Sequence, residues 1–86
     1  MDFSEALERL KDGCRVYRKG EWRYSFIYYV SGSEFVVNRA PLNEIFEPGT
    51  QVTYRPHIDM RGDDGRCGVW TPTHEYILAE DWEVCD

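Results

Sequence analysis

The sequence predicts an α+β fold: an N-terminal helix packed against a mainly antiparallel β-sheet, with a short helical insertion. Three observations carry that expectation. Apolar residues recur at helical spacing over the opening stretch DFSEALERLKDG. Most of the remainder alternates with period two and is rich in branched and aromatic residues. Glycine, serine and proline punctuate those runs. A helix with one apolar stripe must lay it on something, and a one-sided antiparallel sheet is the natural partner.

The helix comes first. Phe3, Ala6, Leu7 and Leu10 stand at i, i+3, i+4 and i+7 and form one stripe. Asp2 is placed to cap the start, with Glu5 three residues on and Ser4 as a competing cap, and Gly13 supplies a stop. CRVYR (14–18) follows as a short strand and KGEW as a turn. SFIYYV (25–30) is the strongest strand. Tyr24, Phe26, Tyr28 and Val30 fall on one face and Ser25, Ile27 and Tyr29 on the other, so bulk on both faces places it centrally or at an interface.

Ser31, Gly32 and Ser33 are expected to turn the chain into EFVVN (34–38). In NRAPLNEIF (38–46), Pro41 suits the first position of a helical turn, with Leu42, Ile45 and Phe46 pointing inward. PGT (48–50) stops it, and QVTYRPHIDM (51–60) returns to period two. There Val52, Tyr54, Ile58 and Met60 share one face, and Thr53, Arg55, His57 and Asp59 the other. Pro56 has no N–H to donate, which favours an edge or a bulge. GDDG (62–65) reads as a tight turn and GVW (68–70) as a returning strand. TPTHEYILAED (71–81) reads as a loop with a helical turn whose Tyr76, Ile77 and Leu78 add apolar mass, and WEVC (82–85) as the last strand. No repeat or linker divides the chain, so residues 1–86 are expected to form one domain.

Size and charge narrow the chemistry. A folded chain of this mass should expose about 5,300 Å². So small a core makes self-association unsurprising. The formal charge is −6, from ten basic and sixteen acidic residues, which argues against a DNA or RNA polymer as partner. A small phosphorylated ligand needs only a local basic cluster and stays open. Cys14, Cys67 and Cys85 show no CxxC spacing and read as reduced, structural thiols rather than zinc ligands. The charged opening residues contain no signal-peptide core, and FIYYV is far too short to span a membrane, so a cytoplasmic location and no membrane partner are expected.

Three site chemistries compete. His57 and Asp59 could reach one metal ion, but a third and fourth ligand are missing, and Asp63 and Asp64 sit beside turn glycines where acids are ordinary. The same pair resembles half of an acid–base unit, yet an imidazole oriented by a carboxylate need not be catalytic, and no nucleophile motif accompanies it. Neither a metal, a cofactor nor a catalytic set is therefore assigned. The sharper reading is an anion or nucleotide pocket. Arg39 and Arg55 offer rigid forks for phosphate, Asn38 can read a base edge or a hydroxyl, and Trp22 and Trp70 are possible stacking plates. Each residue also has a duller account: surface ion pairs, a helix cap and core rings. A plain interaction module remains open.

Three pieces, NRAPLNEI, YRPHIDM and LAEDW, in this order and separation, together with FSEALERLKDGCRVYRKG, resemble the phage Thoeris anti-defence family of the second type over nearly the whole chain. The resemblance implies a counter-defence protein that sequesters, without cleaving it, a cyclic ADP-ribose isomer made by a host immune sensor, and in some relatives cyclic oligonucleotides. It also implies a homotetramer or dimer of dimers with pockets between subunits, working in the infected bacterium. Carried onto matching positions, it makes Asn38, Arg39, Arg55, His57 and Asp59 pocket candidates, and marks Trp70 and Asp81 as motif letters. GEWRYS (20–25) departs from the family's usual asparagine- and glycine-rich turn, and Thr73 and His74 stand where serine and glutamine are common. The alternatives are a small nucleotide-processing enzyme using His57 and Asp59, or a module that inhibits a host protein.

Overall fold

Helix α1 (Phe3–Lys11) forms where the stripe predicts it, in a computed structural model that describes residues 1–85. Asp2 is the cap, its carboxylate accepting from the Glu5 N–H at 2.9 Å. At the other end Gly13 takes φ +95°, while Cys14 N–H reaches Arg9 O at 3.0 Å and Gly13 N–H reaches Leu10 O at 2.9 Å. That pair of bonds satisfies two carbonyls a bare helix end would leave open. Ala6 and Leu10 are fully buried, with Phe3 and Leu7 packed beside them.

The helix lies on a five-stranded antiparallel sheet in the order β6-β5-β2-β1-β7. Its strands are β1 (Val16–Arg18), β2 (Phe26–Val30), β5 (His57–Arg61), β6 (Cys67–Val69) and β7 (Trp82–Val84). Strand β2 is central, in line with bulk on both of its faces. The helix-side face carries Val16, Ile27 and Trp82, all fully buried. Removing an aliphatic side chain of this kind from water contributes roughly 1.5–3 kcal/mol. Around Trp82 stand Phe3, Trp22, Trp70 and Tyr76, with ring centroids 5.3–5.9 Å from Trp82 where they meet it, mostly edge to face. The indole N–H of Trp82 donates to Tyr76 O at 2.9 Å.

Two acidic residues pin turns. Asp81 pairs with the Arg18 guanidinium and accepts from the Gly20 N–H at 2.9 Å. Hydrogen bonding to Arg18 holds the Asp81 carboxyl below the usual range, and the same bond raises Arg18. Arg18 also lies over the rings of Tyr76 and Trp82. Asp63 accepts from the Ser25 hydroxyl at 2.6 Å and the Tyr24 N–H at 3.2 Å, tying GDDG to the entry of β2 and lowering the Asp63 carboxyl.

Strands β3 (Ser33–Val36) and β4 (Gln51–Tyr54) form a separate two-stranded sheet. Two expectations are corrected here. Residues 51–60 are two strands, not one, because Pro56 cannot donate to a ladder and the run breaks there into β4 and β5. Likewise Ser31–Ser33 is not a hairpin turn, since β2 and β3 pair with β5 and β4 instead of with each other. The partners run Phe26↔Arg61 to Val30↔His57 and then Ser33↔Tyr54 to Val36↔Gln51, so both chains advance three residues across the break and the register is unbroken. The result is one long ribbon, interrupted at its middle, whose outer half projects from the body as an arm. At the break, a Cβ on Gly32 would sit 2.6 Å from Tyr54 O and 3.3 Å from Pro56 Cδ, so only glycine fits.

The arm's end is the short helix α2 (Leu42–Ile45), preceded rather than opened by Pro41, and the Ala40–Pro41 peptide is cis. Ile45 and Phe46 do not point inward: they are 68% and 41% exposed, because the arm has no second layer to cover them. Helix α3 (His74–Leu78) buries Tyr76 against the core, whereas Ile77 and Leu78 stay exposed. The chain measures 46 × 26 × 25 Å with a radius of gyration of 15.9 Å, against about 12 Å for a compact chain of this length.

Candidate functional site

The ribbon sets the geometry of the candidates between Asn38 and Asp59. On one face of the arm Phe35 and Tyr54 meet edge to face at 5.3 Å, and Val37 is buried beneath the following loop. Val37 N–H donates to Thr50 O at 2.9 Å and Gly49 N–H to Val37 O at 3.2 Å, with Gly49 at φ +88° to make that return possible. The loop then rises through Asn38, Arg39 and Pro41, and Asn43 N–H closes it onto Arg39 O at 3.1 Å. Between ribbon and loop lies a hollow of about 560 Å³, with Phe35, Val37, Asn38, Arg39, Leu42 and Tyr54 among its walls. That is within the range of small-molecule sites, roughly 300–1,000 Å³.

Asn38 and Arg39 therefore line one hollow. Helix α2 is a single turn, too short to offer an anion a helix end, and what brings the two residues together is the loop itself. Both are exposed, and Arg39 has no carboxylate partner among the described residues. A guanidinium with its five donors unspent beside an amide and two rings can hold an anionic, aromatic ligand.

His57 and Asp59 occupy a second place. They lie on the outer face of β5, the side of the main sheet away from α1, with His57 Nε2 3.2 Å from Asp59 Oδ1 and Nδ1 3.2 Å from Arg55 O. Each ring nitrogen thus faces an oxygen acceptor, and a neutral ring, with one N–H, donates to one of the two. Across the ladder Tyr28 stands opposite Asp59. Its phenol is pushed up to about 12, first by hydrogen bonding with Cys67, then by burial and the neighbouring charges of Cys67 and Asp59. Nearby, Phe26 carries Arg15 at 5.0 Å and Arg61 at 5.9 Å over its ring. Arg55 sits in the break between β4 and β5, exposed and without an ion pair among the described residues.

One protomer does not unite these groups. Val30↔His57 and the Asn38 end of the ribbon are eight residues apart along one strand, roughly 26 Å at ~3.3 Å per residue. Thr53, expected beside Arg55, instead donates across the arm to Glu34 at 3.4 Å. Trp22 and Trp70 are core rings, each 8% exposed, with their edges and faces taken by one another, Trp82 and Tyr76. Trp22 is thus packed into the core, and Trp70 shows an edge only to the hollow beside α1. Asp81 is committed to the turn after β1. Among the described residues no group of three His, Cys, Asp or Glu side chains could hold a metal ion.

The structure also shows a feature that local reading missed. A second hollow, of about 370 Å³, lies between α1 and the root of the arm, with Phe3, Leu7, Tyr29, Pro56, Ile58 and Trp70 among its lining. No motif announces it, because its walls come from stretches of chain as far apart in sequence as Phe3 and Trp70.

The Thoeris anti-defense 2-like domain family matches residues 1–85. Thoeris anti-defense 2 of Bacillus phage SP01 is 29% identical over 84 residues, covering 98% of this chain and 93% of that protein.

Proposed function

This chain belongs to the Thoeris anti-defense 2-like family, and from that premise we propose that it binds and sequesters, without cleaving it, a cyclic ADP-ribose-type immune signalling nucleotide. Membership gives the coarser role, phage anti-defence. The finer reading rests on one observation: an arginine without an ion pair and an asparagine stand over a hollow walled by Phe35 and Tyr54. A cyclic ADP-ribose isomer has two phosphates and a purine. The guanidinium neutralises phosphate, the rings face the base and the amide reads its edge.

Sequestration requires only affinity and slow release, and submicromolar binding corresponds to more than about 8 kcal/mol. A hollow open to solvent supplies that poorly. Enclosure by a second copy supplies it better, in line with a homotetramer or dimer of dimers, and it would let Arg55, His57 and Asp59 of one copy serve a ligand held by Asn38 and Arg39 of another. The two ring nitrogens of His57 face Asp59 and the Arg55 carbonyl rather than open space, which supports a binding role over a general base. No helix among the described residues is long and apolar enough to cross a membrane. The place of action is then the cytoplasm of the infected bacterium, where the signal is made.

The test is retention. Purified protein is incubated with each cyclic ADP-ribose isomer, desalted, heat-denatured and assayed by mass spectrometry. One isomer should be retained and released intact. A hydrolysed product would establish the enzyme alternative. No retention of any isomer, together with a co-purifying host protein, would establish the interaction module.

A further inference from the structure

The two edges of the main sheet are finished differently. In an antiparallel ladder, residues that exchange hydrogen bonds with a neighbouring strand alternate with residues whose N–H and C=O point the other way. Beside β7, Lys19 N–H donates to Asp81 O at 3.1 Å and Cys85 N–H to Arg15 O at 2.8 Å, so Asp81 and Cys85 face β1. The Trp82 backbone between them points outward, and Met1 takes both of its groups. Trp82 N–H donates to Met1 O at 3.1 Å, and Met1 N donates to Trp82 O at 2.8 Å. Glu83 adds a charge to the same edge, with Lys19 3.5 Å away. Covers and charges of this kind discourage further strand pairing.

Strand β6 has neither. Gly62 N–H donates to Arg66 O at 2.8 Å and Trp70 N–H to Ile58 O at 2.9 Å, and Met60 stands opposite Gly68 between them. The N–H and C=O of Cys67 and Val69 therefore point away from β5. Among the described residues β6 pairs with β5 alone. Cys67, Gly68 and Val69 are all exposed, and none is charged or a proline. The side-chain rows of the sheet also stop short here. On the helix side the row through Ile27 and Met60 ends on Gly68, where an added Cβ would meet nothing within 4 Å. On the outer side the row through Tyr28 and Asp59 ends on Val69, which is 73% exposed. A strand laid along β6 would find backbone partners at two residues, room for one large side chain over Gly68, and an aliphatic neighbour in Val69.

We propose that β6 captures an extended segment of another protein as an added antiparallel strand. The segment is about five residues long and uncharged at its centre, with a large apolar residue opposite Gly68 and β-branched residues opposite Cys67 and Val69. Main-chain hydrogen bonds supply the attraction, and the alternating side chains supply the selectivity. Gly68 is the selecting position, because a bare glycine beside Met60 accepts a ring that a filled position would exclude. Strand β6 belongs to the main sheet and not to the arm, so this surface stands apart from the nucleotide hollow.

The probe is the blocked peptide acetyl-Thr-Val-Phe-Val-Thr-amide, added at up to about 1 mM to the isotope-labelled full chain and followed by NMR. The Cys67 and Val69 amide signals should shift, and their hydrogen exchange should slow by about tenfold or more. In this register the two valines of the peptide face the outward groups of β6. N-methylation of both should abolish binding, whereas N-methylation of the phenylalanine, whose N–H points away, should leave it. Val69→Pro removes one outward donor without costing a bond to β5, and should weaken binding about tenfold or more while melting near the parent. If that variant unfolds, Val69→Lys, which keeps every backbone group, carries the test with the same expected loss. A peptide that shifts no β6 amide, N-methylated valines that bind equally well, or a peptide bound along the arm instead would overturn the proposal. Cys67 and Val69 amides whose protection grows with protein concentration in the absence of peptide would give the edge to a second copy, and would overturn it equally.

Discussion

Gly32→Ala tests whether the arm's direction is fixed by the break in the ribbon. An added Cβ would lie 2.6 Å from Tyr54 O and 3.3 Å from Pro56 Cδ. The nearer atom is backbone in the opposing strand, so relief means moving one half of the ribbon against the other. Overpacking of this kind costs about 1–3 kcal/mol. Reducing the freedom of the unfolded chain offsets about 0.4–1 kcal/mol of it. A net loss of roughly 1–2 kcal/mol should lower the melting temperature by about 4–16 °C, at ~4–8 °C per kcal/mol for a chain this small. Gly68→Ala is the control, since nothing lies within 4 Å of its added Cβ. It should match the parent or gain up to about 1 kcal/mol, through the same effect on the unfolded chain. Both variants are followed by thermal and urea unfolding, and by native mass spectrometry for assembly. Gly32→Ala protein that melts and assembles like the Gly68→Ala control would show that the root of the arm yields freely, and the argument from a fixed arm would fall.

Three further outcomes follow from the same contacts. Arg55→Ala should leave unfolding within about 0.5 kcal/mol of the parent, since no described residue pairs with it, yet weaken nucleotide retention roughly tenfold or more by equilibrium dialysis; an unfolded variant would make Arg55 structural. Asp81→Asn removes the charge facing Arg18 and should cost about 1 kcal/mol at neutral pH, discounted because the carboxylate is a third exposed. Because folding lowers the Asp81 carboxyl, its contribution is complete above the unfolded value of about 4 and fades as pH falls through the folded one, so the gap between parent and variant in urea midpoint should close in acid. Trp22→Ala should cost about 3–5 kcal/mol and impair folding itself; a stable variant that lost only nucleotide binding would return Trp22 to the site.

Some of this was written in short stretches of sequence. The cap at Asp2, the stop at Gly13 and the stripe between them involve residues at most seven positions apart, and α1 formed as those residues direct. Strand β2 carries large side chains on both faces and became the central strand. Pro56 lacks an N–H whatever its surroundings, so a break in the ladder was legible, and NRAPLNEI, YRPHIDM and LAEDW sufficed to place the family. The tertiary structure decided the rest. Whether Trp22 offers a face to a base or gives it to Trp82 depends on a residue sixty positions away. That Ser31–Ser33 continues a ribbon rather than closing a hairpin depends on what stands across from it, which is Pro56. Asn38 and His57 both look like site residues in the string, but only the unbroken register shows how far apart one copy holds them. Local chemistry fixes where a chain bends and where it must end a helix; which surfaces are covered is set by distant segments competing for the same apolar area.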